Sequence, residues 1–225
     1  MRQPVMLALL IACKASSQDE SAAQQDLTVS AAGESPSAIA RTTPHHAHGK
    51  LRFVAKAGDA TQTRTYTVEA DGNQLAFASD GVRIERPGAA PVGMALAALT
   101  LSRGVHGEIV GPADSADEET TNELRWLFVA WPDSPLGAGA RWRYEEHFHT
   151  AVGPVTQTLD YQLVRRTATE AEVHLAVDAQ TKSLGPYAHA SGVITVPLGE
   201  PWRLPRGSFS FSGQASGTLE IAPVD

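Results

Sequence analysis

The amino-acid sequence predicts a mainly β (α+β) protein, in which a curved antiparallel sheet of roughly 8–10 strands carries one or two short helices. Apolar and polar residues alternate in two long stretches, residues 50–85 and 140–221. Such alternation is typical of strands with one buried and one solvated face. Turn signals such as Asp71-Gly72 and Gly153-Pro154 separate the runs. Residues 13–48 lack this pattern, so a disordered linker is expected before the sheet.

The first alternating stretch places large apolar residues at every second position. Leu51 and Phe53 flank the polar Arg52. The next alternating run ends at the dipeptide Asp71-Gly72. This dipeptide is typical of a type I′ hairpin turn, whose two central residues both need a positive φ. The later positions expected on the buried face are Tyr66, Val68, Leu75, Phe77, Val82 and Ile84.

The segment between the two stretches is predicted to contain the helices. Residues 92–101 are nearly all apolar. Ten residues are too few for the periodicity to distinguish a helix from a strand. The Met, Ala and Leu residues favour a helix in the first part of this segment. Residues 107–111 indicate a short strand. A capping-box pattern over residues 115–118 predicts a helix from about residue 116 to about residue 128. Its expected apolar side consists of Leu124, Leu127 and Phe128.

The second alternating stretch begins with residues 141–149, which separate cleanly into two faces. The expected core side consists of Trp142, Tyr144 and Phe148, and the expected solvent side consists of Arg143, Glu145, His147 and His149. Adjacent residues on a strand point to opposite faces, so Glu145 and Glu146 are not expected to share a site. The later core positions are Leu159, Tyr161, Leu163, Val173, Leu175, Val177, residues 193–196, Phe209, Phe211, Leu219 and Ile221.

Length and composition limit the class of protein. The chain has 225 residues, of which 42% are hydrophobic, enough for one domain with a real core. Its formal net charge is −7, which argues against nucleic acid as a partner because nucleic-acid binders present basic patches. The predicted divisions are a signal peptide at residues 1–12, a flexible linker at 13–48 and a single β-rich domain at 49–225.

The N-terminus carries the residues of an export signal. Arg2 gives a positive start, residues 5–12 form an apolar run, and the single cysteine, Cys13, follows directly. The run is shorter than the roughly 20 apolar residues that span a bilayer, and it fits the apolar region of a secretory signal. Leu10-Ile11-Ala12-Cys13 resembles the lipobox of bacterial lipoproteins. The alternative is an uncleaved N-terminal helix with a free thiol.

The lipobox resemblance implies a location and a modification. In that family the signal is cleaved before the cysteine, which carries lipid, so Cys13 is the expected attachment site. Two or three acyl chains hold a protein stably at a membrane. We therefore expect secretion across the inner membrane and a lipid anchor in the cell envelope. By the enterobacterial sorting rule, Lys14 favours the outer membrane over the inner one.

A second resemblance concerns the folded domain. Residues 131–142 contain a Pro before a small-x-Gly-x-x-Trp step, and residues 212–219 are rich in Gly and Ser. This arrangement is similar to secreted bacterial domains of unknown function. In those domains the first motif opens a long antiparallel hairpin and the second ends the sheet. The resemblance implies a β-rich domain and no activity. A looser similarity is to the curved half-barrels of lipoprotein carriers, which hold acyl chains.

Candidate metal ligands lie on the solvent face of the strand at residues 141–149. His147 and His149 are two residues apart, so they share a face, and with Glu145 they make a His, His and carboxylate set. The turn at residues 153–154 is expected to bring Asp160 near His147, with His174 one strand further on. The opposing interpretation is a solvated polar face, on which nearby arginines would repel a cation. We favour this interpretation and expect neither a metal nor another cofactor.

Motifs of catalysis are missing from the sequence. There is no Gly-x-Ser-x-Gly elbow and no His-Glu-x-x-His helix, so we expect no enzyme. The tryptophans Trp126, Trp131, Trp142 and Trp202 are expected to pack the core. The leading hypothesis is an envelope lipoprotein with a non-catalytic binding or structural β domain, partnered by the membrane and an envelope protein. The alternatives are a carrier or chaperone for an apolar ligand such as an acyl chain, and a metal protein using His147 and His149.

Overall fold

The computed structural model describes residues 26–39, 43–44, 46–110, 118–150, 153–181, 185–199, 201–213 and 216–224. The side chains of residues 118–119, 149–150 and 185–187 are not among those described. The predicted signal peptide, Cys13, Lys14 and the start of the capping box lie outside these ranges.

The described residues form strands and one helix. The elements in chain order are β1 (Asp26–Ala31), β2 (Glu34–Ser37), β3 (Ala47–Ala57), β4 (Ala60–Asp71), β5 (Gln74–Glu85), β6 (Val92–Met94), β7 (Leu99–Arg103), β8 (Ile109–Val110), α1 (Glu118–Leu127), β9 (Leu136–Ala138), β10 (Arg141–Thr150), β11 (Gly153–Arg166), β12 (Glu170–Thr181), β13 (Gly185–Pro197), β14 (Arg206–Gly213) and β15 (Gly217–Val224). The fold is mainly β, as the alternating pattern predicts.

The strands assemble mostly into one antiparallel sheet. This sheet has 13 strands in the order β1-β10-β11-β12-β13-β14-β15-β3-β4-β5-β7-β8, with β6 added beside β5, and a separate pair joins β2 to β9. The sheet has more strands than the 8–10 expected. The hairpin predicted after the motif at residues 131–142 is present as β10 and β11. The Gly-rich segment does not end the sheet, because β15 lies between β14 and β3.

The sheet curves around α1. Residues of β4, β11 and β14, which lie far apart in the strand order, all contact this one helix, through Arg64, Gln157 and Phe209. Only a wrapped sheet can bring such distant strands to a helix of 10 residues. Leu124, Leu127 and Phe128 are all buried, which confirms the predicted helix and its apolar side.

The segment after α1 packs the interior further. The Trp131 amide donates to the His106 carbonyl at 2.8 Å, and the Trp142 indole donates to the Ala130 carbonyl at 2.7 Å. The segment therefore contacts both β10 and the turn between β7 and β8. The Trp142 ring stacks between those of Trp131 and Tyr161, with centroids 5.5 and 5.2 Å apart. Side chains fill the space enclosed by the sheet.

Two local predictions are wrong. The linker predicted for residues 13–48 does not hold over residues 26–37, which form β1 and β2. The backbone of β10 pairs with β1 from Asp26 to Ala31, with one register shift after Val29, and Leu27 and Val29 pack against the core. The helix predicted in the first part of residues 92–101 is also wrong. This segment contains β6 and the start of β7, since pairing with β5 outweighs the weak intrinsic preference for helix.

Candidate functional site

The most unusual feature of the interior is a set of charged residues between α1 and the sheet. Charged side chains are seldom fully buried unless they are paired. Here they come from β4, β10, α1 and the turn between β7 and β8. The buried members are Arg64, Glu108, Glu123, Arg125 and Glu146, with Thr120, Thr121 and Gln157 beside them. We call this set the polar cluster.

The first part of the polar cluster joins β4 to α1. One nitrogen of Arg64, Nη2, donates to both carboxylate oxygens of Glu123, at 2.7 and 2.6 Å. The other, Nη1, donates to the Thr120 hydroxyl at 2.8 Å. That hydroxyl also bonds to the Tyr66 hydroxyl at 2.9 Å. Arg64 is 2% exposed, and its guanidinium lies 5.4 Å from the Phe53 ring centroid. These contacts fix the helix to the sheet in one position.

The second part joins α1 to β10 and β11. Glu146 points into the core, where Gln157 Nε2 donates to its Oε1 at 2.8 Å and Arg125 Nε lies 3.5 Å from its Oε2. The Arg125 guanidinium also lies 4.3 Å from the Phe148 ring centroid. Burial raises the pKa of Glu146 above its ordinary value, while Arg125 and the bond from Gln157 oppose that rise. Desolvation is therefore the dominant influence on this carboxyl group.

The third part lies in the turn between β7 and β8. The His106 amide donates to Glu108 Oε2 at 2.9 Å, which holds this carboxylate in the turn. Burial lowers the pKa of Arg103, and the nearby charge of Glu108 opposes this effect. Burial also raises the pKa values of Tyr144 and Tyr161, so both phenols stay protonated. The charges of Glu146 and Glu108 both contribute to the raised pKa of Tyr144. The third part of the polar cluster therefore lies next to the second part.

The geometry of the polar cluster suits positioning rather than chemistry on a substrate. Its carboxylates are engaged by the Arg64 guanidinium, the Gln157 side-chain amide and the His106 backbone amide. The adjoining cavity, lined by Phe128, Val129 and Trp202 among others, has a volume of about 50 Å³. Sites for small organic ligands measure about 300–1,000 Å³. In this conformation the cluster holds α1 in the sheet and leaves little room for a ligand.

The predicted metal ligands lie on the outer face of β10. His147 Nε2 is 3.4 Å from Glu145 Oε1, and both side chains are nearly half exposed. His147 Nδ1 bonds to the Thr156 hydroxyl at 2.9 Å. The side chain of His149 is outside the described part of the structure. No group of three His, Cys, Asp or Glu side chains close enough to hold a metal ion occurs among the described residues. The metal site stays a hypothesis.

The expectation that Asp160 lies near His147 is wrong. The pairing of β10 with β11 places Thr156 opposite His147 and Asp160 opposite Arg143. Arg143 and Asp160 form an exposed bidentate pair with distances of 2.8 and 3.0 Å. The pairing of Thr150 with Gly153 fixes this register, whereas the sequence placed the turn at Gly153-Pro154. His174 pairs with Gln162 and Val193, away from His147.

The tryptophans pack the core as expected in three of four positions. Trp126, Trp131 and Trp142 are buried, whereas Trp202 is partly buried and lines the small cavity. Sequence reasoning missed the polar cluster, although a signal was present. Arg64 lies two residues before Tyr66, and Glu146 lies between Tyr144 and Phe148 in the same alternation, so both charges stand at inward positions.

Comparisons with known proteins add no further assignment to this geometry. Among the described residues there is no helix with the length and apolar character needed to cross a membrane. Searches against protein families, curated proteins and solved structures find no match for this chain.

Proposed function

We propose that this chain is a lipoprotein of a bacterial cell envelope, in which residues 1–12 direct export and Cys13 carries the lipid. The observation that carries the proposal is the position of Cys13. It is the single cysteine of 225 residues, and it directly follows the apolar run that ends in Leu10-Ile11-Ala12. An acylated cysteine at that place anchors the chain to the membrane, and Lys14 favours the outer membrane.

We further propose that the folded domain is a non-catalytic binding or structural module. In the polar cluster Arg64 pairs with Glu123 and Arg125 lies beside Glu146, across α1 and the sheet, so these charged groups are occupied in holding the fold. The net charge of −7 argues against nucleic acid as the partner, and the partner we propose is a protein of the envelope. The lipid anchor supplies the membrane contact.

Mass spectrometry of protein purified from membranes tests the anchor. The wild type is expected to begin at Cys13 and to carry the added mass of two or three acyl chains. A Cys13→Ala variant should keep its full length or leave the membrane fraction. Ser16→Ala, three residues away, is the matched control and should behave as the wild type does. Full-length, unmodified wild-type protein in the cytosol would overturn the proposal.

A carrier for an apolar ligand is the second candidate, and the way α1 is held favours it. Buried ion pairs stabilise the packing of a helix on a sheet less than apolar contacts of the same size would. The cost of removing the charges from water offsets their attraction. Such a helix is a candidate for displacement. If it moved, Phe209 of β14, which contacts Trp126, and the buried Val155 and Leu159 of β11 would line a chamber.

Hydrogen exchange tests the carrier. With phospholipid vesicles present, the amides of α1 should exchange faster, while those of β12 serve as the internal control. Apolar molecules should also be extracted with the purified protein. Unchanged exchange in α1 together with no extracted ligand would exclude the carrier and leave the anchored module.

A further inference from the structure

The connection between β5 and β7 is an exposed apolar segment. Residues 87–98 contain no charged side chain. Val92 is 55% exposed and Met94 is 42% exposed, and most of the neighbouring alanines are exposed as well. Soluble proteins seldom leave apolar residues exposed in a continuous run, and such a patch marks an interaction site. We call residues 87–98 the apolar loop.

The apolar loop lies at one end of the sheet. Within it, β6 folds back along the last residues of β5, so that Val92 pairs with Ile84 and Met94 pairs with Val82. The end of β5 in turn pairs with the start of β4, where Glu85 lies opposite Thr61. The apolar loop is therefore next to the hairpin turn between β3 and β4.

The register of the sheet places the start of β1 at the same end. A single row of paired residues crosses the sheet from β1 to β4. Its members are Leu27, Tyr144, Leu159, Val177, Ala190, Phe211, Gly217, Ala57 and Ala60. Leu27 is thus in the same row as the hairpin turn beside the apolar loop, and the chain that precedes Asp26 enters the sheet at this end.

The length of that preceding chain limits how far this end can be from Cys13. Twelve residues separate Cys13 from Asp26. At about 3.3–3.6 Å per residue their full extension is about 45 Å, and any less extended chain is shorter. If Cys13 is held in a bilayer, the end of the sheet at which β1 begins is held within about 45 Å of that bilayer.

We propose that the apolar loop contacts the lipid surface in which Cys13 is anchored, with Val92 and Met94 at the boundary of headgroups and acyl chains. This inference rests on the proposed lipid anchor. The chemistry of the loop fits lipid, because Ala, Val, Met, Gly and Pro side chains offer apolar area and no directional bonds. The backbone of β6 is already paired with β5. The loop forms a second, weaker attachment that orients the domain on its tether.

Photo-crosslinking in the full-length protein tests the contact. p-Benzoylphenylalanine replaces either Val92 or Val105, in cells that process the native chain. Val105 is the matched control, since it is also an exposed valine, at 82%, but lies in the turn after β7 at the opposite end of the sheet. Arg103 beside it bonds to the Asn73 carbonyl in the hairpin turn between β4 and β5. Mass spectrometry of each sample reports both the lipid on Cys13 and the phospholipid adduct.

The two proposals fail in different ways. Lipid on Cys13 with an adduct at position 92 several-fold above that at position 105 supports the contact. Lipid on Cys13 with equal adducts, or with none at position 92, overturns the contact and leaves the anchor. If Cys13 carries no lipid, the anchor is wrong, and the same two chains are then mixed with phosphatidylethanolamine and phosphatidylglycerol vesicles. An adduct confined to position 92 then supports an anchor-independent contact, and its absence overturns the inference.

Discussion

The ion pair between Arg64 and Glu123 allows a sharp test of what holds α1 in the sheet. A Glu123→Ala substitution removes the carboxylate that pairs with the buried Arg64 guanidinium, while the bond from Arg64 to the Thr120 hydroxyl stays. Removing one member of a buried pair typically costs about 3–5 kcal/mol, because the remaining charge is uncompensated in a medium of low polarity. With a slope of about 2–3 kcal/mol per molar urea, the unfolding midpoint should fall by about 1–2 M.

A double substitution separates the charge from the packing. In Arg64→Met combined with Glu123→Leu, both charges are absent and the volume is filled with apolar atoms. Its free energy of unfolding should lie within about 1 kcal/mol of the wild type, or above it. The exposed pair of Arg143 and Asp160 is the matched control. It is also bidentate, yet Asp160→Ala should hardly move the midpoint because water screens both charges.

Urea unfolding followed by circular dichroism measures all four proteins. The reasoning would be refuted if Glu123→Ala lowered the midpoint no more than Asp160→Ala does. It would also be refuted if the double variant were as unstable as the single one. In that second case the geometry of the bonds to Glu123, rather than the burial of its charge partner, would stabilise the fold.

Three further predictions concern other parts of the interior. The raised pKa of Glu146 means that the folded state binds its proton more tightly than the unfolded state, so this contribution to stability is lost as pH rises. The urea unfolding midpoint of Glu146→Gln should therefore rise relative to that of the wild type as the pH increases from about 4 towards neutrality. A difference between the two midpoints that stays constant with pH would contradict this. In Gly137→Ala, the new Cβ would meet the Glu34 carbonyl oxygen, so the amides of β2 should exchange faster while β12 stays protected; unchanged protection of β2 would show that the strand can shift. Trp142→Phe should lower the free energy of unfolding by about 1–3 kcal/mol, because the buried Ala130 carbonyl loses its indole donor; a loss below about 0.5 kcal/mol would mean that another donor replaces it.

The β class and most of the core could be predicted from the sequence because alternation is a local signal. Trp142 and Tyr144 are buried and Arg143 is exposed, as the period of two requires. The same rule places Glu146 and Arg64 in the core, but a charge at an inward position carries no sign of its partner. Their partners lie on other elements, and no pattern within a strand identifies them.

The failures share a physical cause, which is pairing between distant parts of the chain. Residues 26–31 have few large apolar side chains, and they form β1 because β10 provides hydrogen bonds at the edge of the sheet. Residues 92–94 form β6 because β5 extends beyond β7. The position of Asp160 depended on the register of the β10–β11 hairpin, which the turn sets. Local preference did not determine any of these outcomes.

The place of β15 determines when folding can finish. It joins β14 to β3, so without its 8 residues the described strands from β10 to β14 and from β3 to β8 form two separate sheets. Each would then have an open edge prone to wrong pairing. Closing a loop that spans nearly the whole domain is slow. The pairing of β15 with β3 is therefore the step that unites the two halves into the native sheet.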